Sequence, residues 1–220
     1  MIKYGDDISL VNQYIQPEHN AQNGYYLDTW SALGHDRKGF YVSTASPGEF
    51  DGGSATWRFA PTDTLPRGSG AVHYGDKVQL VNQYKPGNSG HYLNTWTALG
   101  HSRGGFNVST ATAVEVDGLS ATWQVAHEVD GLTCLTGPVK YGDKIQLVNL
   151  YKSTTSGYLN TWSHLPQSTG RTGFNVSTAS AEEVDGGSAT WQIVPSNHVA
   201  FSQAAYTPTH RNPSPSPSPS

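Results

Sequence analysis

The stretch from Tyr74 to Val125 runs through YGDKVQLVNQY, GHYLNTW, GFNVSTA and DGLSATWQV, and the chain carries this series three times. In the first copy the pieces are YGDDISLVNQY, GYYLDTW, GFYVSTA and DGGSATWRF; in the third they are YGDKIQLVNLY, GYLNTW, GFNVSTA and DGGSATWQI. Trp30, Trp96 and Trp162 follow one another at 66 residues, and Trp57, Trp123 and Trp191 at 66 and 68. A period this regular means that one supersecondary unit has been multiplied and that the copies share a core. The 220 residues are enough for one compact domain built this way.

Within each copy four short runs alternate apolar and polar residues between Gly, Asp, Asn, Ser or Pro, which predicts twelve antiparallel strands. Val78 and Leu80 face the core in the first run, with Ile8, Leu10, Ile145 and Leu147 as their equivalents. Phe106 and Val108 share a face in the third, with Asn107 and Ser109 turned away. Ala121, Trp123 and Val125 point together in the fourth, and the closing tryptophans Trp57, Trp123 and Trp191 are core residues. The domain is expected over residues 1–206, with repeats at 2–60, 72–126 and 139–195 and a Pro/Ser-rich extended tail at 207–220.

Composition excludes several classes. A formal charge of −4 with 13 scattered Lys and Arg residues lacks the basic patch that nucleic acid requires. No apolar run approaches the roughly 20 residues of a membrane helix. The single cysteine, Cys134, permits no intrachain disulfide. The segment opens directly in the repeat with no signal-peptide pattern, so the compartment is left open, an extracellular one included, and so is the oligomeric state. The chain has no metal-spaced histidine pair, no Gly-x-Ser-x-Gly elbow, no phosphate-cradling loop and no calcium-loop spacing, and neither a cofactor nor catalysis is expected. His35 and His101 recur, but Thr169 takes their place in the third copy.

Three copies of four strands, each closed by a large apolar residue, are what a β-trefoil with pseudo-threefold symmetry requires. Tyr-Gly-Asp, the Leu six residues after that Tyr and the later Tyr-Leu resemble MIR-type trefoil repeats, while Tyr-Leu-Asp with a terminal Trp resembles ricin-B-type lectin repeats. The chain departs from the ricin type at Ala55, Ala121 and Ala189, where that family has the Gln of Gln-x-Trp, and at Ala45, Ala111 and Ala179, where it has a sugar-stacking aromatic. Its Asp does match Asp28, with Asn94 and Asn160 as substitutes. The resemblance implies a β-trefoil fold and a lectin-like role.

The candidate binding residues lie on the second strand. Tyr92, Asn94 and Trp96 share the face opposite Leu93, as do Tyr26, Asp28 and Trp30 in the first copy and Tyr158, Asn160 and Trp162 in the third. Such a face offers a flat apolar surface to the C–H side of a pyranose and a short polar group to its hydroxyls. Arg37, Arg103 and Arg171, three residues before the third-strand Phe, add a charged donor; the other reading of these arginines is an ion pair with the nearby aspartates. Asp51, Asp117 and Asp185 either close turns before Gly52, Gly118 and Gly186 or contact sugar.

The expectation is a non-catalytic, multivalent lectin with up to three equivalent shallow sites for glycans or glycoconjugates, gaining avidity when several engage at once. The alternative is a protein-interaction or targeting module of a larger secreted enzyme or toxin, working through the once-only insert Ile15 to Asn23 or the link around Cys134.

Overall fold

The computed structural model describes residues 1–14, 25–34, 37–62, 70–84, 91–100, 103–127, 136–153 and 157–196. The His35, His101, Cys134, 15–23 and 207–220 readings lie outside these. The first copy contributes β1 (Asp7–Asn12), β2 (Tyr25–Ala32), β3 (Phe40–Ala45) and β4 (Trp57–Pro61). The second contributes β5 (Lys77–Asn82), β6 (His91–Ala98), β7 (Phe106–Ala111) and β8 (Trp123–His127); the third, β9 (Lys144–Asn149), β10 (Tyr158–His164), β11 (Phe174–Ala179) and β12 (Trp191–Pro195). Each run with period-two alternation has become a strand.

The pairing is where expectation and structure part. The fourth strand of each copy pairs along five residues with the first strand of the next, β4 with β5, β8 with β9, and β12 with β1. The second and third strands form hairpins, β2–β3, β6–β7 and β10–β11, and the third strands also bridge one another. All twelve strands belong to one continuous sheet, closed through β11-β3-β2-β1-β12-β9-β8-β5-β6-β7, with β4 and β10 off that circuit but paired to its members. The β-trefoil of three four-stranded repeats is therefore corrected to a closed ten-stranded antiparallel barrel with two further strands. The physical reason is that alternation decides where strands lie and which face is apolar, whereas partners are set by hydrogen bonding between copies, to which the pattern is blind.

The core follows the sequence reading. Ile8, Leu10, Val78, Leu80, Ile145 and Leu147 are all fully buried, together with Phe59, Val125 and Ile193 from the fourth strands. The indoles of Trp57, Trp123 and Trp191 are also fully buried. Each donates its Nε1–H to a second-strand carbonyl of its own copy, those of Leu27, Leu93 and Leu159, at 2.9 Å, so the one polar atom of each indole is satisfied. A ring of backbone hydrogen bonds, Ile2 to Val139, Val139 to Val72 and Val72 to Ile2, ties the three copies together through residues that are themselves buried.

A second set of ties recurs at the ends of the first strands. Asn82 donates to the carbonyls of Ser54 and Thr56 and accepts from the Tyr84 N–H and the Thr29 hydroxyl. Asn149 makes the same four bonds to Ser120, Thr122, Tyr151 and Thr95, and Asn12 to Ser188, Thr190, Tyr14 and Thr161. Each buried amide thereby fixes a first strand to the second strand of the preceding copy and to the turn that leads into its fourth.

Candidate functional site

The segment leading into each third strand docks on the next copy. A Cβ on Gly39 would stand 1.7 Å from the Thr110 carbonyl oxygen, on Gly105 2.2 Å from that of Thr178, and on Gly173 1.8 Å from that of Thr44. Only glycine allows backbones this close. Beside each contact, Phe40, Phe106 and Phe174 donate their N–H to the hydroxyls of Thr110, Thr178 and Thr44 at 2.8 Å.

Glutamates then clasp the same segments. Glu115 accepts the Lys38 N–H, Glu183 the Gly104 N–H and Glu49 the Thr172 N–H, at 2.8, 3.0 and 2.7 Å. The other carboxylate oxygen of each accepts from the N–H and hydroxyl of Thr112, Ser180 or Ser46 at the start of its own loop. Burial alone would favour the neutral acid, but these N–H donors outweigh it, and all three carboxyls are held below their ordinary value.

This docking carries each arginine onto a neighbouring tryptophan. The Arg37 guanidinium lies 4.9 Å from the Trp96 ring, Arg103 5.4 Å from Trp162 and Arg171 5.4 Å from Trp30. The three clusters are thus built between copies: first onto second, second onto third, and third back onto first. Beneath each indole sits the strand residue two before it, Asp28, Asn94 or Asn160, all but fully buried, facing Ser43, Ser109 or Ser177 across the hairpin. Ser109, expected to turn away with Asn107, is buried, and so are Ser43 and Ser177.

The clusters differ in their polar contacts. Arg171 Nη2 donates to Asp28 Oδ2 at 2.5 Å. Burial pushes the Asp28 carboxyl up to about 6, against the lowering effect of the Ser54 hydroxyl and Arg171, with Glu49 adding to the rise. In the other two clusters Arg37 Nε and Nη2, Arg103 Nε and Nη2, Asn94 Oδ1 and both polar atoms of Asn160 are buried without a hydrogen-bond partner among the described residues; in the first the same holds for Arg171 Nε, Asp28 Oδ1 and Trp30 Nε1, but not for Arg171 Nη2. Arg103 Nε stands 3.8 Å from Glu183 Oε1, beyond hydrogen-bond range. The aromatic surroundings differ too. Tyr41 lies against Trp30 with ring centroids 5.5 Å apart, whereas the equivalent Asn107 and Asn175 bond instead to Thr97 and Ser163. Trp96 and Trp162 remain 37% and 39% exposed.

The structure therefore joins Asp28, Trp30 and Arg171; Asn94, Trp96 and Arg37; and Asn160, Trp162 and Arg103. The tyrosines separate. Tyr26 is buried against Phe50, with centroids 5.0 Å apart, while Tyr92 and Tyr158 are half-buried opposite Ala111 and Ala179. Asp51 and Asp117 accept from the hydroxyls of Tyr84 and Tyr151 in the next copy, at 2.9 and 3.3 Å. Asp51, Asp117 and Asp185 all close turns in which the serine three residues on accepts their N–H. The arginines engage Asp28 and approach Glu183 rather than these turn aspartates.

Glu49, Glu115 and Glu183 escaped the sequence reading although they recur at the repeat period; the S/T-x-x-E capping pattern at Ser46, Thr112 and Ser180 was the available signal. Among the described residues, no group of three or more His, Cys, Asp or Glu side chains is arranged to hold a metal, and no helix is long and apolar enough to cross a membrane.

No family model and no curated protein matches this chain. Among solved structures, a Caenorhabditis elegans protein of unknown function superposes with a TM-score of 0.62 at 18% identity, over 88% of this chain and 96% of that one. An SDF2-like protein from Arabidopsis thaliana gives 0.57 at 17% identity, over 88% and 94%. The S. cerevisiae protein O-mannosyltransferase Pmt1–Pmt2 complex bound to the sugar donor gives 0.59 at 13% identity, over 87% of this chain and 25% of that one. Likeness at these identities shows shared architecture alone. The resemblance to ricin-B-type and MIR-type trefoil repeats is accordingly withdrawn: the barrel found here and these neighbours take its place.

Proposed function

We propose that this chain is a non-catalytic carbohydrate-binding protein whose sites are the junctions where an arginine of one copy meets the tryptophan and amide of the next. The observation that carries the reading is the pairing of a partly exposed indole, Trp96 or Trp162, with a guanidinium above a buried amide whose Oδ1 has no partner among the described residues. A pyranose stacks a C–H face on an aromatic ring and offers hydroxyls to polar groups at its rim. The likeness to a complex bound to a sugar donor supports the reading without naming a sugar. Asp28, whose burial raises its proton affinity, is committed to Arg171, which supports binding rather than acid–base catalysis at that junction.

A glycan array followed by calorimetric titration tests this. Trp96→Ala together with Trp162→Ala removes both exposed stacking surfaces, each contributing about 0.5–1.5 kcal/mol, so affinity at each site falls about 2- to 12-fold. Absence of binding to any glycan, or undiminished binding by the double variant, removes the proposal.

A further inference from the structure

The three junctions are equivalent in backbone and unequal in charge. In the first, Arg171 Nη2 donates to Asp28; in the second and third the same nitrogen of Arg37 and Arg103 is buried without an acceptor, and an amide, Asn94 or Asn160, stands where the carboxylate stood. Neither amide oxygen replaces that bond, since Asn94 Oδ1 and Asn160 Oδ1 also lack partners. Ser109 Oγ and Ser177 Oγ across the hairpins also lack partners among the described residues, but so do Ser43 Oγ, Arg171 Nε and Asp28 Oδ1 in the first junction, so what sets the first apart is the engaged Nη2. The adjacent glutamates supply charge but no hydrogen bond to these nitrogens: Arg103 Nε stands 3.8 Å from Glu183 Oε1, and both oxygens of Glu115 and of Glu183 accept from backbone N–H groups.

Resting on the carbohydrate-binding reading, we infer that Asp28 is a built-in stand-in for a ligand carboxylate, so that the second and third junctions bind a carboxylate-bearing sugar while the first is closed by its own side chains. Closure of the first is twofold: Asp28 takes the guanidinium Nη2, and Tyr41 lies against Trp30, where the other two junctions have Asn107 and Asn175. In the open junctions the indole receives the sugar ring and the guanidinium receives its carboxylate, a pairing stronger than one with a neutral hydroxyl. Multivalency then means two sites rather than three.

Calorimetry on the full chain with methyl glucuronide, methyl glucoside and acetate as separate probes decides the matter. The expected result is two equivalents of glucuronide bound at least tenfold more tightly than glucoside or acetate. Asn94→Asp with Asn160→Asp installs the internal carboxylate in both open junctions and abolishes that binding. Asp28→Asn with Tyr41→Asn copies the open junctions into the first and raises the stoichiometry to three. Both variants use residue types that the chain already places at equivalent positions, and a cooperative melt verifies folding; Arg37→Gln with Arg103→Gln, which alters only half-buried side chains, loses the preference if either variant misfolds. Equal affinity for glucoside and glucuronide overturns this inference and leaves the lectin reading intact. Binding of acetate as tight as that of glucuronide also overturns it, since the ring would then contribute nothing. Failure of both glycosides overturns this inference, and the lectin reading falls with it only if the glycan array is also blank.

Discussion

Replacing Asn82 by alanine tests the idea that the copies are locked together by buried amides. Asn82 is 4% exposed and makes four hydrogen bonds, to the carbonyls of Ser54 and Thr56, the N–H of Tyr84 and the hydroxyl of Thr29. A net contribution of about 0.5–1.5 kcal/mol per bond gives about 2–6 kcal/mol. The lower half of that range applies, because the Ser54 carbonyl also accepts the Thr29 N–H and the Thr56 carbonyl the Gln83 N–H, so neither is orphaned. A loss of about 3 kcal/mol lowers the melting temperature of a domain this size by about 6–12 °C, read by calorimetry or by the urea midpoint at unchanged slope. Asn82→Asp separates bonding from volume: it keeps the shape but turns an oxygen toward two carbonyls, and is expected to cost at least as much. A loss below about 1 kcal/mol for alanine, or near-wild-type stability for aspartate, would refute the reasoning, and Asn149→Ala should repeat the outcome at the next junction.

The buried Asp28 makes stability depend on pH in a direction opposite to that of an ordinary paired carboxylate. Its folded value of about 6 lies above the usual carboxylate range, so it contributes stability below about pH 4 that is lost as pH rises through 6, amounting to about 3 kcal/mol. Melting curves of the wild type and Asp28→Asn should therefore favour the variant progressively from pH 4 to 7, and a constant difference would contradict the assignment. Gly173→Ala places a methyl 1.8 Å from the Thr44 carbonyl oxygen; soluble yield should collapse or the melting temperature fall steeply, and a stable, fully folded variant would show that the third copy does not press on the first as described.

What the sequence made legible was local. Alternation located every strand and the faces of Val78, Leu80, Trp123 and Val125, because burial of one side of a pleated strand leaves a period-two trace. It also placed Trp96 beside Asn94, since residues two apart on one strand must share a side. It did not say which copy supplies each partner: three near-identical segments make Arg37 equally compatible with Trp30, Trp96 and Trp162, and only the close approach at Gly39 selects Trp96. The same ambiguity hid the joining of fourth strands to the next copy's first strands, and with it the closed barrel. The glutamates were missed for a different reason. A charged residue in a loop reads as solvated, and Glu115 shows its purpose only once the Lys38 N–H is seen to reach it from another copy.

Sharing every arginine–tryptophan contact between neighbours has a consequence for dissection. A fragment holding the first two copies keeps one such contact, Arg37 on Trp96, and a fragment of any one copy keeps none, because Arg171 meets Trp30 only when the last copy returns to the first. A lone copy could recover the complete set only by assembling with two others like itself, so the shortest self-sufficient form of this protein is a trio, whether covalent or gathered from free pieces.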